Sequence, residues 1–155
     1  MIREIRDGDW GNIVALEAAA YTTLSEEPAA LRSRCTPTTS FVLETEDQLV
    51  GYLLALPYPL FRYPDLRQPE QTRFASANLH LHDLVIAANW RGRGLATELI
   101  RHLAIAAKDE KYERISLVAV GDSDTFWSER GFHAHPEIAL PASYGPRAAY
   151  MSMTI

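Results

Sequence analysis

The chain opens with apolar and charged residues in alternation from Ile2 to Arg6, the period of a half-buried strand. Asp9 then stands where a cap would start a helix running from Trp10 to about Tyr21, with Ile13, Leu16 and Ala20 on one face. Pro28 occupies the favoured first position of a second, short helix that extends to about Cys35. Phe41 to Thr45 and Leu49 to Leu56 read as two strands joined by a tight turn at Glu46-Asp47-Gln48. Leu79 to Ile86 is a further strand. From Gly94 to about Lys111 the residues Leu95, Leu99, Leu103 and Ala107 recur every four positions, with Ile100 and Ala104 beside them, so the segment is an amphipathic helix. Ile115 to Val120 is a continuous apolar run of buried-strand type. Thr125 to Arg130 is a short helix stopped by Gly131, and His133 to Leu140 and Ala148 to Ile155 are two closing strands. The order β-α-α-β-β-β-α-β-α-β-β defines an α/β protein with a mixed sheet.

Composition narrows the class. A length of 155 residues, 47% hydrophobic and 23% charged, fits one globular domain spanning 1–155 and excludes a disordered chain. Fifteen basic and twenty acidic residues leave a net charge of −5, which argues against nucleic acid as a partner. No apolar run approaches the roughly 18 residues of a membrane span, and the first residues lack the apolar core of a signal peptide. Cys35 is the single cysteine, so an internal disulfide and a multi-cysteine zinc site are excluded. These features point to a cytoplasmic protein without a membrane partner; a homodimer is compatible with them.

Two segments carry chemistry. Tyr58 to Ala77 holds Pro59, Pro64 and Pro69 together with Tyr58, Phe61, Tyr63 and Phe74, and a loop of this length in a compact domain is usually functional or mobile. Its aromatic content favours a lid or wall for a substrate over a floppy insertion. Leu84-Val85-Ile86 then leads through Arg91-Gly92-Arg93-Gly94 into Leu95-Ala96-Thr97: a buried strand, a glycine-rich turn and the start of a helix. The first amides of a helix lack internal partners and carry the positive end of its dipole, so this junction is an anion site. Gly92 and Gly94 keep Cβ atoms away from a phosphate, while Arg91 and Arg93 add positive charge. A Walker loop needs a Gly-Lys-Ser/Thr ending and a dinucleotide fingerprint needs a third glycine; neither is present.

The pattern Arg91-x-x-Gly94-x-Ala96 resembles the acyl-CoA loop of the GCN5-related N-acetyltransferases (GNATs), and Phe126-Trp127-Ser128-Glu129-Arg130-Gly131-Phe132 resembles that family's Leu/Phe-Tyr-x-x-x-Gly-Phe run. The resemblance implies a single-domain GNAT fold: a mixed, mostly antiparallel sheet flanked by helices, with two central strands splayed apart. It also implies acetyl-CoA as co-substrate and no metal. Backbone groups of Leu84, Val85 and Ile86 would then pair with pantetheine, and the amides of Gly92 to Thr97 would hold the pyrophosphate. One strand amide near Leu84 would face the developing oxyanion.

His80-Leu81-His82 precedes the loop. On a regular strand both imidazoles share a face while Leu81 and Asp83 point away. A histidine there can take the proton that an ammonium must lose before it attacks a thioester. The run is similar to that of the arylalkylamine branch of the family, where paired histidines relay that proton. The same pair also fits ordinary half-buried core groups, pocket lining without proton transfer, or a two-ligand metal contact. Where the family's run carries an acidic tyrosine, this chain carries Trp127, whose indole cannot deliver a proton. Tyr144 is the nearest tyrosine candidate for that role, and Trp127 is expected to pack against CoA. The reading is transfer of an acetyl group from acetyl-CoA to a primary amine of a small molecule by direct attack. A protein or peptide acceptor and a non-catalytic acyl-CoA sensor are the alternatives.

Overall fold

A computed structural model describes residues 1–155. Seven strands form one sheet: β1 (Ile2–Glu4), β2 (Phe41–Thr45), β3 (Gln48–Pro57), β4 (Asn78–Ile86), β5 (Arg114–Ala119), β6 (His133–Ala134) and β7 (Ala149–Thr154). Their spatial order is β1-β2-β3-β4-β5-β7-β6, and every neighbouring pair is antiparallel except β4 and β5. Helices α1 (Trp10–Ala20), α2 (Pro28–Arg32), α3 (Leu95–Asp109) and α4 (Asp124–Ser128) cover its two faces. This is the single mixed, mostly antiparallel α/β sheet expected from the sequence.

The two faces bury separate cores. Leu99, Ile100, Leu103 and Ala107 of α3 pack with Leu53, Leu79, Leu81, Leu117, Trp127 and Phe132 on one side. On the other, Ile13 of α1 and Leu31 of α2 pack on Val42, Tyr52, Leu54 and Val85. Alternate residues of β3 therefore serve opposite cores, as the pleat requires. The β2–β3 hairpin closes through Glu46 and Asp47, both left-handed (φ 52° and 59°), as a tight two-residue turn demands.

Several boundaries differ from the sequence expectation. Asp9 does not cap α1. Its carboxylate accepts from the Arg6 amide (2.7 Å) and forms a salt bridge to Arg3, which closes a preceding turn and ends β1 at Glu4. The expected face of α1 packs on the core, with Ile13 fully buried and Leu16 and Ala20 partly so; Glu17, which that expectation omitted, is the other buried residue of the helix. Helix α2 stops at Arg32, because the amides of Arg34 and Cys35 reach back only three residues. The strand expected from His133 to Leu140 is only His133–Ala134; one more ladder bond joins the His135 amide to Tyr150 O before Pro136, which has no N–H to give. No helix is long and apolar enough to cross a membrane.

Candidate active site

Strands β4 and β5 pair only at Asn78–Arg114, Leu79–Ile115 and His80–Ser116, then diverge. The expected splay is present, and β4 carries a bulge at the same level. Its partners on β3 step from Leu81 opposite Ala55 to Asp83 opposite Leu54, so His82 is an extra residue. Between the diverging strands lies a cleft of about 560 Å³. Leu81 to Ile86 form one wall and Leu117, Val118 and Val120 the other.

One end of the cleft is the start of α3. Gly92 (φ 77°) and Gly94 (φ 78°) are left-handed, and Gly94 is the N-cap. The first intrahelical bond runs from the Glu98 amide to Gly94 O (3.1 Å), leaving the amides of Leu95, Ala96 and Thr97 outside the helical ladder. Arg91 lines this end with its Nε donating to Ile86 O (3.0 Å). Arg93 does not line it: its guanidinium stacks on the Trp90 ring, 4.4 Å from the centroid. Arg130, which sequence reasoning passed over, does; its Nη2 donates to Thr97 Oγ1 (3.1 Å) and its Nη1 to Phe126 O (2.7 Å). Trp127 lines the middle of the cleft and packs edge-on against Phe126 and Phe132.

The other end is acidic and aromatic. Glu17, Tyr21, Glu26, His82, Asp83 and Tyr144 all line it, with Leu24 and Leu66. His82 Nε2 lies 2.6 Å from Glu26 Oε2. An ionised carboxylate can only accept, so Nε2 carries the hydrogen, and in the neutral imidazole the lone pair is then on Nδ1. Burial alone would raise the Glu26 pKa, but His82 and Arg34 outweigh it and hold the carboxylate below the usual glutamate range. Asp83 is buried and accepts from Tyr21 (2.7 Å) and Tyr52, and burial pushes its pKa up to about 6. Glu17 accepts from the Ser25 hydroxyl (2.6 Å) and the Glu26 amide (2.8 Å), fixing the segment that presents Glu26.

His80 does not join His82 in the cleft. It is 1% exposed, and its Nδ1 is 2.9 Å from Ser116 Oγ at the last paired step of β4 and β5. Burial, aided by His82 and Arg34, lowers its pKa well below the ordinary histidine value, so it stays neutral. The two imidazoles do lie side by side, ring centroids 6.3 Å apart, as the shared-face expectation has it; what the bulge changes is Asp83, which is placed on the side of Tyr52 instead of pointing away. Tyr144 is buried, and its hydroxyl donates to Pro64 O (2.6 Å) in the long loop. Burial raises its pKa, so it remains protonated. That loop is a tied wall: the Phe61 amide donates to the Tyr150 hydroxyl (2.7 Å), the Tyr63 hydroxyl to Ala139 O (2.8 Å), and Leu66 faces the cleft. No group of three His, Cys, Asp or Glu side chains is placed to hold a metal ion.

A helix N-terminus opening a cleft between splayed strands is the architecture of an acyl-CoA-dependent N-acetyltransferase, and comparison with known proteins gives the same class. The model of the acetyltransferase (GNAT) family matches residues 2–132, and the chain belongs to that family. It is 27% identical over 146 residues to the thialysine N-epsilon-acetyltransferase of Bos taurus, covering 84% of this chain and 77% of that protein. Among solved structures, N-acetylglutamate synthase from Neisseria gonorrhoeae, complexed with coenzyme A and N-acetyl-glutamate, superposes with a TM-score of 0.75 at 19% identity. That match covers 99% of this chain and 34% of the synthase, so the chain spans about a third of that relative's length. The ribosomal-protein-S18-alanine N-acetyltransferase of Escherichia coli matches with a TM-score of 0.73 at 13% identity, over 100% of this chain and 93% of the other. These likenesses establish the fold; the acceptors named differ between small molecules and a protein.

Proposed function

We propose that this chain transfers an acetyl group from acetyl-CoA to the primary amine of a small molecule by direct attack, with His82 accepting the amine's proton. The observation that carries the reading is the His82–Glu26 contact of 2.6 Å at the acidic end of the splayed cleft. A cleft of about 560 Å³ is within the usual range for small-molecule sites.

The residues suit acetyl-CoA. At the α3 end, three amides outside the helical ladder, Arg91 and Arg130 face the cleft, and the carboxylates that line it lie at the other end. This gives the anionic pyrophosphate a cationic cradle and the acceptor ammonium an anionic one. Leu84, Val85 and Ile86 offer the strand edge for the pantetheine arm, and an amide of that edge is the donor for the developing oxyanion. Acetyl-CoA supplies the activated acyl group when bound.

The acceptor enters as an ammonium, and His82 Nδ1 takes one proton, with Glu26 holding the Nε2–H and stabilising the imidazolium. The free amine then forms its C–N bond to the thioester carbon. The C–S bond breaks and the sulfur leaves with the electron pair; of the two protons then on the attacking nitrogen, one passes to the thiolate and the other stays as the amide N–H. His82 returns its proton to solvent, so one proton is released per turnover. Tyr144 keeps its hydrogen on Pro64 O and serves the wall; a thiolate whose conjugate acid has a pKa of about 8.5 leaves without it. His80 is assigned a structural part, and Trp127 packs beside CoA.

The experiment is CoA-thiol release with a panel of small amines and several peptides. Turnover with one or more small amines and little with peptides is the expected result. Preference for peptides would move the acceptor to the protein class, and binding of acetyl-CoA with no turnover would make the chain a sensor.

A further inference from the structure

Arg34 lies in the turn after α2, with its side chain 0% exposed. Its Nε and Nη2 donate to Glu26 Oε1 (3.1 and 2.9 Å), and its Nη1 donates to Glu70. Nη2 also donates to the carbonyls of Asp65 (2.8 Å) and Gln68 (2.9 Å). One planar fork therefore ties the long loop to the very carboxylate whose other oxygen meets His82. Arg34 is not among the residues lining the cleft.

We propose that Arg34 is a positioning residue for acetyl transfer: it fixes Glu26 in place and keeps it ionised, so that Glu26 presents His82 with Nδ1 free toward the acceptor. The inference rests on His82 being the base. The chemistry is that of a buried guanidinium, always charged and bidentate, which no lysine reproduces in geometry. A carboxylate as enclosed as Glu26 (side chain 5% exposed) would take up a proton without compensating charge. Once protonated it would no longer stabilise an imidazolium. The groups facing Glu26 are His82 and Asp83 from β4, Glu17 and Tyr21 from α1, Arg34 with Glu70 behind it, and Tyr144. Every other ionised neighbour is acidic, so Arg34 is the one permanent cation in the group.

The test compares Arg34→Gln/Glu70→Gln with Arg34→Lys and Glu70→Gln, reading the pH profile of kcat/KM, the kcat-against-KM split and acetyl-CoA affinity. The double variant removes the cation and its outer partner together, which avoids stranding a buried charge at Glu70. Its expected behaviour is a roughly 10- to 100-fold loss of kcat/KM, taken by analogy from the outer partners of metal-bound histidines. The acid limb should move up by about one pH unit, because of the two groups that oppose the burial of Glu26 only His82 then remains. Acetyl-CoA affinity, which depends on the far end of the cleft, should be retained. Arg34→Lys keeps the charge and should restore the acid limb but only part of kcat. Glu70→Gln leaves the guanidinium to Glu26 and must not move the limb upward, a requirement that holds even if both Arg34 variants fail to fold. Folded Arg34 variants with the native pH profile, or an upward shift in Glu70→Gln, overturn the inference. If instead His82→Gln itself keeps the native profile, the base assignment beneath it is what fails.

Discussion

Substitution at Gly94 separates backbone strain from charge at the α3 end of the cleft. Gly94 sits at φ 78°, and a Cβ there would meet no atom within 4 Å, so alanine meets only the left-handed backbone penalty. That penalty is about 1–2 kcal/mol. At 2–4 °C per kcal/mol for a domain of this size, Gly94→Ala should melt about 2–8 °C lower. Acetyl-CoA at a hundredfold excess over Kd stabilises the native state by about 2.7 kcal/mol. This corresponds to a rise of about 5–11 °C. Gly94→Ala should keep most of that rise from its lower baseline. Aspartate tolerates the left-handed conformation better and can cap the helix, so Gly94→Asp should fold at least as well as the alanine variant. It nevertheless puts a carboxylate where only Arg91, Arg130 and free amides face the cleft, and the acetyl-CoA shift should vanish. Thermal melting with and without acetyl-CoA reads both quantities. A well-folded Gly94→Asp variant with the full ligand shift would refute the placement of the pyrophosphate at this turn.

Three other substitutions probe the middle and far end of the cleft. Trp127→Tyr keeps an aromatic ring between Phe126 and Phe132 and should retain or mildly raise turnover in thiol-release assays; abolished turnover in a folded protein would mean the indole has an active part. Tyr144→Phe removes the bond to Pro64 O and should lower melting by the worth of one buried hydrogen bond, about 1–3 kcal/mol with the carbonyl left unpaired, while the rate falls only modestly. A rate loss beyond about a hundredfold with acetyl-CoA affinity intact would instead make Tyr144 the acid for the thiolate. Asp83, raised from 3.8 to about 6, favours its protonated form in the fold, so its contribution is present below pH 4 and is lost as pH rises through 6. A shift of that size corresponds to about 3 kcal/mol, and Asp83→Asn should flatten the stability-versus-pH curve between pH 4 and 6. An unchanged curve would show that Asp83 titrates normally.

Periodicity was the readable part of the fold. The four-residue repeat of α3 and the glycines before it mark a helix whose buried face is Leu99, Leu103 and Ala107, and these are the residues that face the core. The strand alternation likewise places β2 and β3. What regular periodicity cannot anticipate is an interruption of it. The bulge at His82 leaves the two histidines side by side but turns Asp83 onto the side of Tyr52, and only His82 of the pair reaches the cleft while His80 is buried behind it. Glu26 and Arg34 carried no signal, since charged residues in a polar connection obey no repeat; only the tertiary fold brings the loop, the connection and β4 to one point. Glu17 was detectable. It stands four residues after Ile13 on the inward face of α1, where a carboxylate needs partners, and it finds them in Ser25 and the Glu26 amide. Arg130 was legible only in hindsight, as the basic residue beside Gly131 that reaches back to Thr97.

The most direct test of the proposed chemistry is the pH dependence of kcat/KM for wild-type protein and His82→Gln, measured with the best amine from the acceptor panel. If His82 takes the ammonium proton, the variant should bind acetyl-CoA normally and lose about 10²–10⁴-fold in rate below pH 8. The deficit should shrink as pH rises and free amine accumulates without help. A folded His82→Gln protein with the wild-type rate from pH 6 to 9 would contradict the assignment and leave the His82–Glu26 contact a structural one.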